Sequence, residues 1–420
     1  MPADAERPRV LMLTSTLPRW AGDAEPGFIL DLARELNADF DIELIAPHAP
    51  GATRNEVMQG LHVTRFRYWW THWQAVAYQG GMAWRIQENP LRLAQLPFFF
   101  GSLVWATVQR LRREPQIDLI HAHWLIPQGL AALVARRLAK RPVPVLCTSH
   151  GGDLFGLRGS LLTRLKRTIL QRCEGISVVS QAMVSKVTEI APGVASEVIP
   201  MGTDLQQRFV PAADPAARLP SHLVFVGRLV PKKGLEHLLD ALHQLRQAGV
   251  SFSAEIVGHG PLAGSLAQKT HSLGLDDHVR FTGPVSHDSL ADHYQRAAIA
   301  VFPFVEAADG DQEGFGLVMV EAMGCGCAVI ASDLPAVRDV IRTGDTGVLV
   351  PPGDSGALAA AIRAALENSQ QTGAMAERGR AHALERFDWS VTGRRFRALY
   401  RTLFAGVDRH HRTKDDTVRR

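Results

Sequence analysis

The stretch from Ala298 to Ser332, AIAVFPFVEAADGDQEGFGLVMVEAMGCGCAVIAS, constrains the fold more than any other part of this 420-residue chain. An apolar run gives way to an acidic loop that contains glycines. Residues with helical spacing follow from Leu317 to Met323, and a second apolar run covers Ala328 to Ala331. Short apolar runs that alternate with helical periodicity are typical of buried parallel strands joined by helices. The stretch therefore predicts strand, loop, helix and strand of an α/β sheet.

Two glutamates in this stretch, Glu313 and Glu321, are separated by seven residues, with Gly314 and Gly316 between them. If the helix begins near Gly316, Glu313 lies in the loop at its N-terminus and Glu321 lies a little over one turn inside. Glycines let the backbone approach a bulky ligand, and the unpaired N–H groups of a helix N-terminus favour an anion such as a pyrophosphate. We therefore expect both carboxylates to border one ligand. Two solvated glutamates would explain neither the glycines nor the companion motifs.

Further motifs follow strand ends in both halves of the chain. GRLVPKKG follows the apolar strand His222 to Val226, and its Arg228 and Lys233 can neutralise a diphosphate as a guanidinium fork and a point charge. In the first half, the strand Val143 to Thr148 ends in SHGGDLFG, which contains His150. A histidine there projects into the crevice where open α/β sheets bind ligands.

Taken together, these segments resemble the retaining nucleotide-sugar glycosyltransferases of the GT-B architecture, family four, also called glycosyl transferases group 1. EGFGLVMVEAMGCG matches the family's signature of two glutamates seven residues apart, and GRLVPKKG matches its phosphate loop. The resemblance implies an α/β fold of two doubly wound Rossmann-like domains facing a cleft. Its implied boundaries are an acceptor-binding domain at 1–200, completed by a helix at 388–405, a nucleotide-sugar-binding domain at 201–387, and a flexible tail at 406–420.

The resemblance also implies the reaction, in which a sugar passes from a nucleoside diphosphate sugar to an acceptor hydroxyl with retention at the anomeric carbon. Its catalytic residues would be His150, Glu313, Arg228 and Lys233, with Glu313 on donor-sugar hydroxyls; whether Glu313 ever attacks the anomeric carbon stays open. Glu321 would hold the ribose. The other donor-binding residues would be Gly314, Phe315, Gly316, Leu317, Gly227, Gly258 and Gly283.

On the acceptor side, the candidates are Gly22, Gly27 and Asp153. Gly22 and Gly27 lie in the loop after the first strand, Arg9 to Thr14, where the family approaches donor phosphate and acceptor, and a plain surface turn is the alternative. Asp153 would either orient His150 or bind an acceptor hydroxyl.

No cofactor or metal is expected besides the donor substrate. Asp309, Gly310 and Asp311 form an acidic triplet that we interpret as a solvated loop, and the four cysteines lack zinc-ligand spacing. The net charge of +4, with a pI near 9.0, suits anionic ligands or a membrane surface and is too small and scattered for nucleic acid.

Two segments of the first half bear on membrane contact. RFRYWWTHWQ places tryptophans beside arginines, and Leu91 to Arg113 is apolar with basic ends. These suit a bilayer interface or a lipid-linked acceptor, and equally a helix packed into a domain core. The tryptophans are Trp69, Trp70 and Trp73. A cytoplasmic protein is expected, peripheral on the inner membrane face if the first interpretation holds, because the N-terminus lacks a signal-peptide pattern.

Three hypotheses of function follow. The first is a glycosyltransferase that builds a cell-surface polysaccharide or glycolipid on a glycan or lipid-linked acceptor. The second keeps the fold and makes a soluble disaccharide or glycosylated metabolite. The third is a sugar-nucleotide binding protein without catalysis, which the joint presence of Glu313, Glu321, Arg228, Lys233 and His150 disfavours.

Overall fold

The structure is a computed structural model that describes residues 7–418 apart from Ala24, Gln79, Gly80 and Asp309. The chain forms two compact units. The first contains the chain up to Val179, Val184–Ile199 and the chain from Thr392 onward, and the second contains Ser180–Met183 and Pro200–Val391. Each unit is a predominantly parallel sheet with helices, which confirms the predicted fold class.

The first unit contains an eight-stranded sheet in the order β3-β4-β2-β1-β5-β6-β7-β8. All paired strands are parallel except β3 and β4, which form an antiparallel edge hairpin. The strand order turns around β1, so the crevice between β1 and β5 is the place where such sheets bind ligands. The strands are β1 Arg9–Leu13, β2 Asp41–Pro47, β3 Asn55–Met58, β4 Leu61–Phe66, β5 Ile117–His123, β6 Val145–Ser149, β7 Gly175–Val178 and β8 Glu197–Val198.

Apolar helix faces cover this sheet. The helix after the first loop spans Phe28–Leu36, and its Ile29, Leu32 and Leu36 are buried. The long apolar segment is a 3₁₀ turn, Pro90–Gln95, that continues into a helix. The helices are α1 Phe28–Leu36, α2 Met82–Glu88, α3 Leu96–Arg113, α4 Leu130–Ala139, α5 Gly152–Phe155, α6 Ser160–Arg172 and α7 Gln181–Ile190.

The second unit contains a six-stranded sheet in the order β11-β10-β9-β12-β13-β14, and every paired strand is parallel. The chain leaves β9 toward one edge and returns at β12 toward the other. The carboxyl ends of β9 and β12 are therefore neighbours at a topological switch point. The strands are β9 Leu219–Val226, β10 Ser253–Val257, β11 Val279–Gly283, β12 Ala297–Phe302, β13 Ala328–Ser332 and β14 Val348–Val350.

Seven helices complete the described chain. They are α8 Leu235–Gln247, α9 Ala263–Ser272, α10 Leu290–Arg296, α11 Leu317–Gly324, α12 Ser355–Glu367, α13 Ser369–Phe387 and α14 Trp389–Val418. From Thr392 onward α14 belongs to the first unit, where Tyr400 is buried and its hydroxyl lies 2.7 Å from Nδ1 of His121. The segment from residue 406, predicted as a flexible tail, continues this helix to Val418, because no proline or glycine interrupts residues 407–418.

A buried carboxylate, Glu255 on β10, ties the second sheet to α10. It accepts hydrogen bonds from His293 at 3.0 Å and Thr282 at 2.8 Å, and Arg296 lies 3.2 Å away. Burial alone would raise the pKa of this carboxyl, but these partners more than reverse that effect and lower it to about 2.

Glu255→Gln should therefore lower the free energy of unfolding by about 3 kcal/mol at pH 7, since a shift from 4.5 to about 2 corresponds to that much. A depressed carboxyl pKa contributes stability above pH 4.5, and the contribution is lost as the pH falls toward 2. The gap between wild type and variant in urea denaturation should thus narrow at pH 3. A gap that stays constant down to pH 3 would contradict this.

Candidate active site

A buried ion pair lies where β9 and β12 end. Nζ of Lys233, in the loop after β9, is 2.7 Å from Oε2 of Glu313, in the loop after β12, and 4.4 Å from the ring centroid of Phe304. The Lys233 side chain is 10% exposed and that of Glu313 is 15% exposed. The cation predicted for the diphosphate and the carboxylate predicted for the donor sugar are thus direct neighbours.

The charge state of this pair follows from its surroundings. Burial would raise the pKa of Glu313, but the charges of Lys233 and Lys232, with a smaller contribution from Arg228, lower it to about 2. Burial lowers the pKa of Lys233, and Glu313 opposes that shift. Glu313 is therefore an anion at neutral pH, and Arg228, which is exposed, adds positive potential at the same place.

The helix α11 begins beside this pair. Gly316, at its N-cap position, has φ of +90°, and a Cβ there would lie 2.5 Å from Cε of Met319. No side chain caps the first turn of this helix in the described chain, and the N–H of Met319 donates to the carbonyl of Gly316 at 2.9 Å. The N–H groups that precede Met319 can therefore receive an anion. Gly314 and Phe315 are buried just before it, with the Phe315 ring against Phe387, and Leu317 opens the helix.

Glu321 lies inside α11 and is buried. Its Oε2 accepts a hydrogen bond from the Tyr294 hydroxyl at 3.2 Å, and its Oε1 lies 3.7 Å from Nε2 of His287. Tyr294 and His287 did not emerge from the sequence, because both partners are distant along the chain and neither belongs to a motif. The neighbouring Glu321 contributes to raising the pKa of Tyr294, after burial, so the phenol stays a hydrogen-bond donor.

Three further glycines predicted for donor binding lie at three adjacent strand ends. Gly227 follows β9, Gly258 follows β10 and Gly283 ends β11, and the N–H of Gly258 donates to the carbonyl of Gly283 at 2.9 Å. Gly258 has φ of +130°, and a Cβ there would lie 2.0 Å from the carbonyl oxygen of Gly227. The close approach of these loops therefore requires glycine at Gly258.

Gly258→Ala should lower the free energy of unfolding by about 3 kcal/mol, because left-handed strain adds to a backbone clash. Gly264→Ala is the matched control. Gly264 lies in α9, where a methyl group on its Cα would meet no atom within 4 Å, and alanine there should be neutral or stabilise by up to about 1 kcal/mol. Equal stabilities of the two variants in urea denaturation would show that the loops do not need this contact.

Ion pairs connect the acidic loop after β12 to the loop after β9. Asp311, interpreted as part of a solvated triplet, lies 3.0 Å from Nζ of Lys232, and its side chain remains 33% exposed. Asp309 lies outside the described residues. Throughout the part of the chain that the structure describes, no group of three His, Cys, Asp or Glu side chains is placed to hold a metal ion.

In the first unit, His150 follows β6 and lies at the crevice between β1 and β5. Its Nε2 is 3.1 Å from Nδ1 of His123, and its ring contacts Phe28, at the start of α1, and Trp124. Removal of water from around these rings lowers the pKa of His150 to about 3 and that of His123 well below its ordinary value. His150 is therefore a neutral imidazole at physiological pH.

For Asp153, the structure bears on the first of the two predicted roles, the orientation of His150. The carboxylate is buried and accepts hydrogen bonds from the backbone N–H of Leu125 at 2.6 Å and from the Ser149 hydroxyl at 2.7 Å. It orients the turn after β5, and among the described residues the hydrogen-bond partner of His150 is His123 and not Asp153. Binding of an acceptor hydroxyl by Asp153 stays a prediction. Proximity in sequence had suggested a contact that the short helix α5 directs elsewhere.

The two glycines proposed for the acceptor side differ from each other. Gly22 has φ of +77° in a turn where the N–H of Asp23 donates to the carbonyl of Trp20. Gly27 precedes α1 at φ of −93°, and a Cβ there would meet only ordinary contacts near Pro18. The backbone at both glycines is compatible with an acceptor site and with a surface turn.

Two parallel α/β units, with a cation, carboxylates and a helix N-terminus together at the strand ends of the second, define a nucleotide-sugar glycosyltransferase of the GT-B class. The profile of glycosyl transferases group 1 matches residues 216–382, which include both donor motifs, and that of glycosyltransferase family 4 matches residues 28–207. The chain belongs to the glycosyl transferases group 1 family.

Named relatives and solved structures agree with this assignment. The chain is 31% identical to a phosphatidyl-myo-inositol mannosyltransferase of Mycobacterium tuberculosis, over 86% of this chain and 97% of the relative. It is 29% identical to a GDP-mannose-dependent α-(1-6)-phosphatidylinositol monomannoside mannosyltransferase of Mycolicibacterium smegmatis, over 75% and 84%. Sucrose-phosphate synthase from Thermosynechococcus elongatus shares the fold, with a TM-score of 0.76, 23% identity, and coverage of 95% and 100%.

Proposed function

We propose that this glycosyltransferase moves a mannosyl unit from GDP-mannose to a hydroxyl of a lipid-linked acceptor, with retention at the anomeric carbon and without a metal ion. The observation that carries the proposal is the pairing of Lys233 with Glu313 beside the first turn of α11. GDP-mannose is supported by the name of one relative, and a lipid acceptor by the names of both mycobacterial relatives.

In the proposed reaction, the bond from the anomeric carbon to the diphosphate oxygen breaks while the acceptor oxygen bonds to the same face of the sugar. The acceptor proton passes to the departing diphosphate oxygen. Lys233, Arg228 and the N–H groups at the start of α11 stabilise the negative charge that gathers on the diphosphate, so that no divalent cation is needed.

The carboxylates hold the donor in this proposal. Glu313, an anion because of Lys233 and Lys232, accepts hydrogen bonds from sugar hydroxyls rather than attacking carbon, since Lys233 already engages one of its oxygens. Glu321, fixed by Tyr294, accepts from the ribose hydroxyls. Neutral His150 contacts the acceptor hydroxyl as a hydrogen-bonding group.

In this proposal the protein is a peripheral enzyme that binds the cytoplasmic face of the membrane containing its lipid acceptor. Among the described residues, the helical segment Pro90–Arg113, which comprises the 3₁₀ turn and α3, is long and apolar enough to cross a bilayer by length and composition, a property that core helices share. Its Phe99, Leu103 and Val108 are buried in the first unit, whereas Phe98 and Trp105 are exposed. Aromatic side chains exposed beside arginines suit a bilayer interface.

A labelled-donor assay tests the proposal. With GDP-[¹⁴C]mannose, a bacterial membrane lipid extract and excess EDTA, label should enter the organic phase, and an α-specific exomannosidase should release it. Label that stays in the aqueous phase as product would favour a soluble acceptor. Resistance to the α-mannosidase with sensitivity to a β-mannosidase would show inversion, and loss of activity in EDTA would show metal dependence.

The donor base is tested separately by thermal unfolding with GDP, UDP and ADP. A ligand that binds only the folded state raises the midpoint temperature, so GDP should raise it most. UDP as the strongest stabiliser would refute GDP-mannose and leave the enzyme class intact.

A further inference from the structure

A groove of about 470 Å³ lies in the first unit between α3 and the strands β2, β3 and β4. Five arginines line it, and none of the described lining residues is an aspartate or glutamate. The arginines are Arg54, Arg65, Arg67, Arg110 and Arg113. None of the residues predicted for donor or acceptor binding lines this groove.

Two of these arginines are already paired. Arg65 is buried and lies 2.9 Å from Glu56, and Arg110 pairs with Glu43 and lies 3.7 Å from Glu114. None of these three carboxylates lines the groove, and Glu114 is shared with Arg9 at 2.8 Å.

The other three arginines leave the groove positively charged. Arg54 and Arg113 are exposed and form no ion pair with any residue that the structure describes, and Arg67 is hydrogen bonded to the Thr71 hydroxyl. Guanidinium groups without carboxylates match phosphate oxygens in geometry and charge. Ser102 and Gln109, which also line the groove, supply neutral donors for further oxygens.

The groove also has an aromatic side. Trp105, on α3, lines it and is 59% exposed, and Phe98, two turns earlier on the same helix, is 55% exposed. An exposed indole next to cationic side chains is the arrangement that proteins use at the boundary between headgroups and acyl chains. A phosphate bound here would thus be accompanied by apolar contacts that free phosphate does not need.

We propose that this groove binds the phosphate of an anionic phospholipid headgroup and so fixes how the enzyme sits on the membrane. The inference rests on the membrane association proposed above, and it adds a specific lipid site outside the donor and acceptor residues. Arg54, Arg67 and Arg113 hold the phosphate, and Trp105 enters the interface.

A second basic cleft in the same unit provides the control. It measures about 410 Å³ and is lined by four arginines and one lysine, with no aromatic side chain among the described lining residues. Arg137 and Arg172 there are exposed, like Arg54 and Arg113. Removing two charges from either cleft changes the net charge equally, so only a specific site distinguishes the two pairs of substitutions.

The experiment measures co-sedimentation with vesicles of 30% phosphatidylglycerol in phosphatidylcholine, for the wild type, Arg54→Gln/Arg113→Gln and Arg137→Gln/Arg172→Gln. The groove variant should bind about 30-fold more weakly, because each surface cation contributes roughly fivefold, and the control should stay within about threefold of wild type. Thermal unfolding with GDP, which should be unchanged in both variants, verifies that the fold and donor site are intact. Glycerol 3-phosphate, up to 5 mM in solution, should not displace the wild type from vesicles.

Each other result has a distinct meaning. Equal losses in the two variants, or no loss in either, would overturn the groove while leaving membrane association standing. Displacement by glycerol 3-phosphate would show a site for soluble phosphates and overturn the lipid assignment. Absence of wild-type binding to anionic vesicles would overturn both the groove and the proposed peripheral location, whereas labelled-donor turnover would still test the enzymatic proposal.

Discussion

Replacing Lys233 by methionine should weaken the binding of GDP by about 10- to 100-fold, since a charge-assisted contact to the diphosphate is lost. The same change should lower the free energy of unfolding by about 3–5 kcal/mol, because it leaves Glu313 buried without its main cation. The pKa of Glu313 should rise accordingly. Calorimetric titration with GDP and urea denaturation measure the two effects independently.

The double variant Lys233→Met/Glu313→Gln separates these effects. It removes both buried charges, so most of the lost stability should return, while the affinity for GDP should stay low. Lys269→Met is the matched control, because Lys269 pairs with Asp240 at 2.8 Å on the surface and should contribute at most about 1 kcal/mol. If Lys233→Met binds GDP as tightly as wild type, the phosphate role of Lys233 is wrong.

The second large effect concerns the rate of transfer. His150→Ala should lower kcat by about 100- to 1,000-fold, the loss expected when one positioned hydrogen bond to a reacting oxygen is removed, while the Kd for GDP changes little. The donor contacts proposed for Lys233, Glu313 and Glu321 all belong to the second unit, whereas His150 belongs to the first.

The pH profile distinguishes this role from that of a titrating base. Because desolvation lowers the pKa of His150 to about 3, the ring is neutral at every pH above that value. The pH profiles of the wild-type rate and of the His150→Ala rate should therefore have the same shape near pH 6.5. His271→Ala, which removes an exposed histidine, should leave kcat unchanged. Undiminished turnover in His150→Ala would assign this residue a structural role only.

The sequence predicted the parts of the fold that repeat a local pattern. The strands β1 and β13 and the helix α11 each differ from their predicted bounds by one residue, because apolar runs and helical periodicity are local signals. The edge strand β3 was missed, because its NEVM sequence has an exposed, partly polar pattern that a surface loop shares. The 19-residue helix α13 was also missed, since its apolar face is interrupted by many polar residues.

In the candidate site too, residues in local motifs were predictable and contacts between distant segments were not. Lys233, Glu313 and the glycines at strand ends were predictable because each belongs to a contiguous motif. The contacts that fix them were not, because they join distant segments: Tyr294 to Glu321 across 27 residues, and His123 to His150 across two adjacent strands. Asp153 shows the opposite error, in which nearness along the chain suggested a contact that the fold does not make.

The location of a bound nucleotide tests the central claim most directly. In a crystal structure with GDP, both phosphates should lie within hydrogen-bond distance of Lys233 Nζ and of the N–H groups at the start of α11, and the ribose should contact Glu321. A nucleotide bound away from the carboxyl ends of β9 and β12, or phosphates that contact neither Lys233 nor α11, would contradict the account.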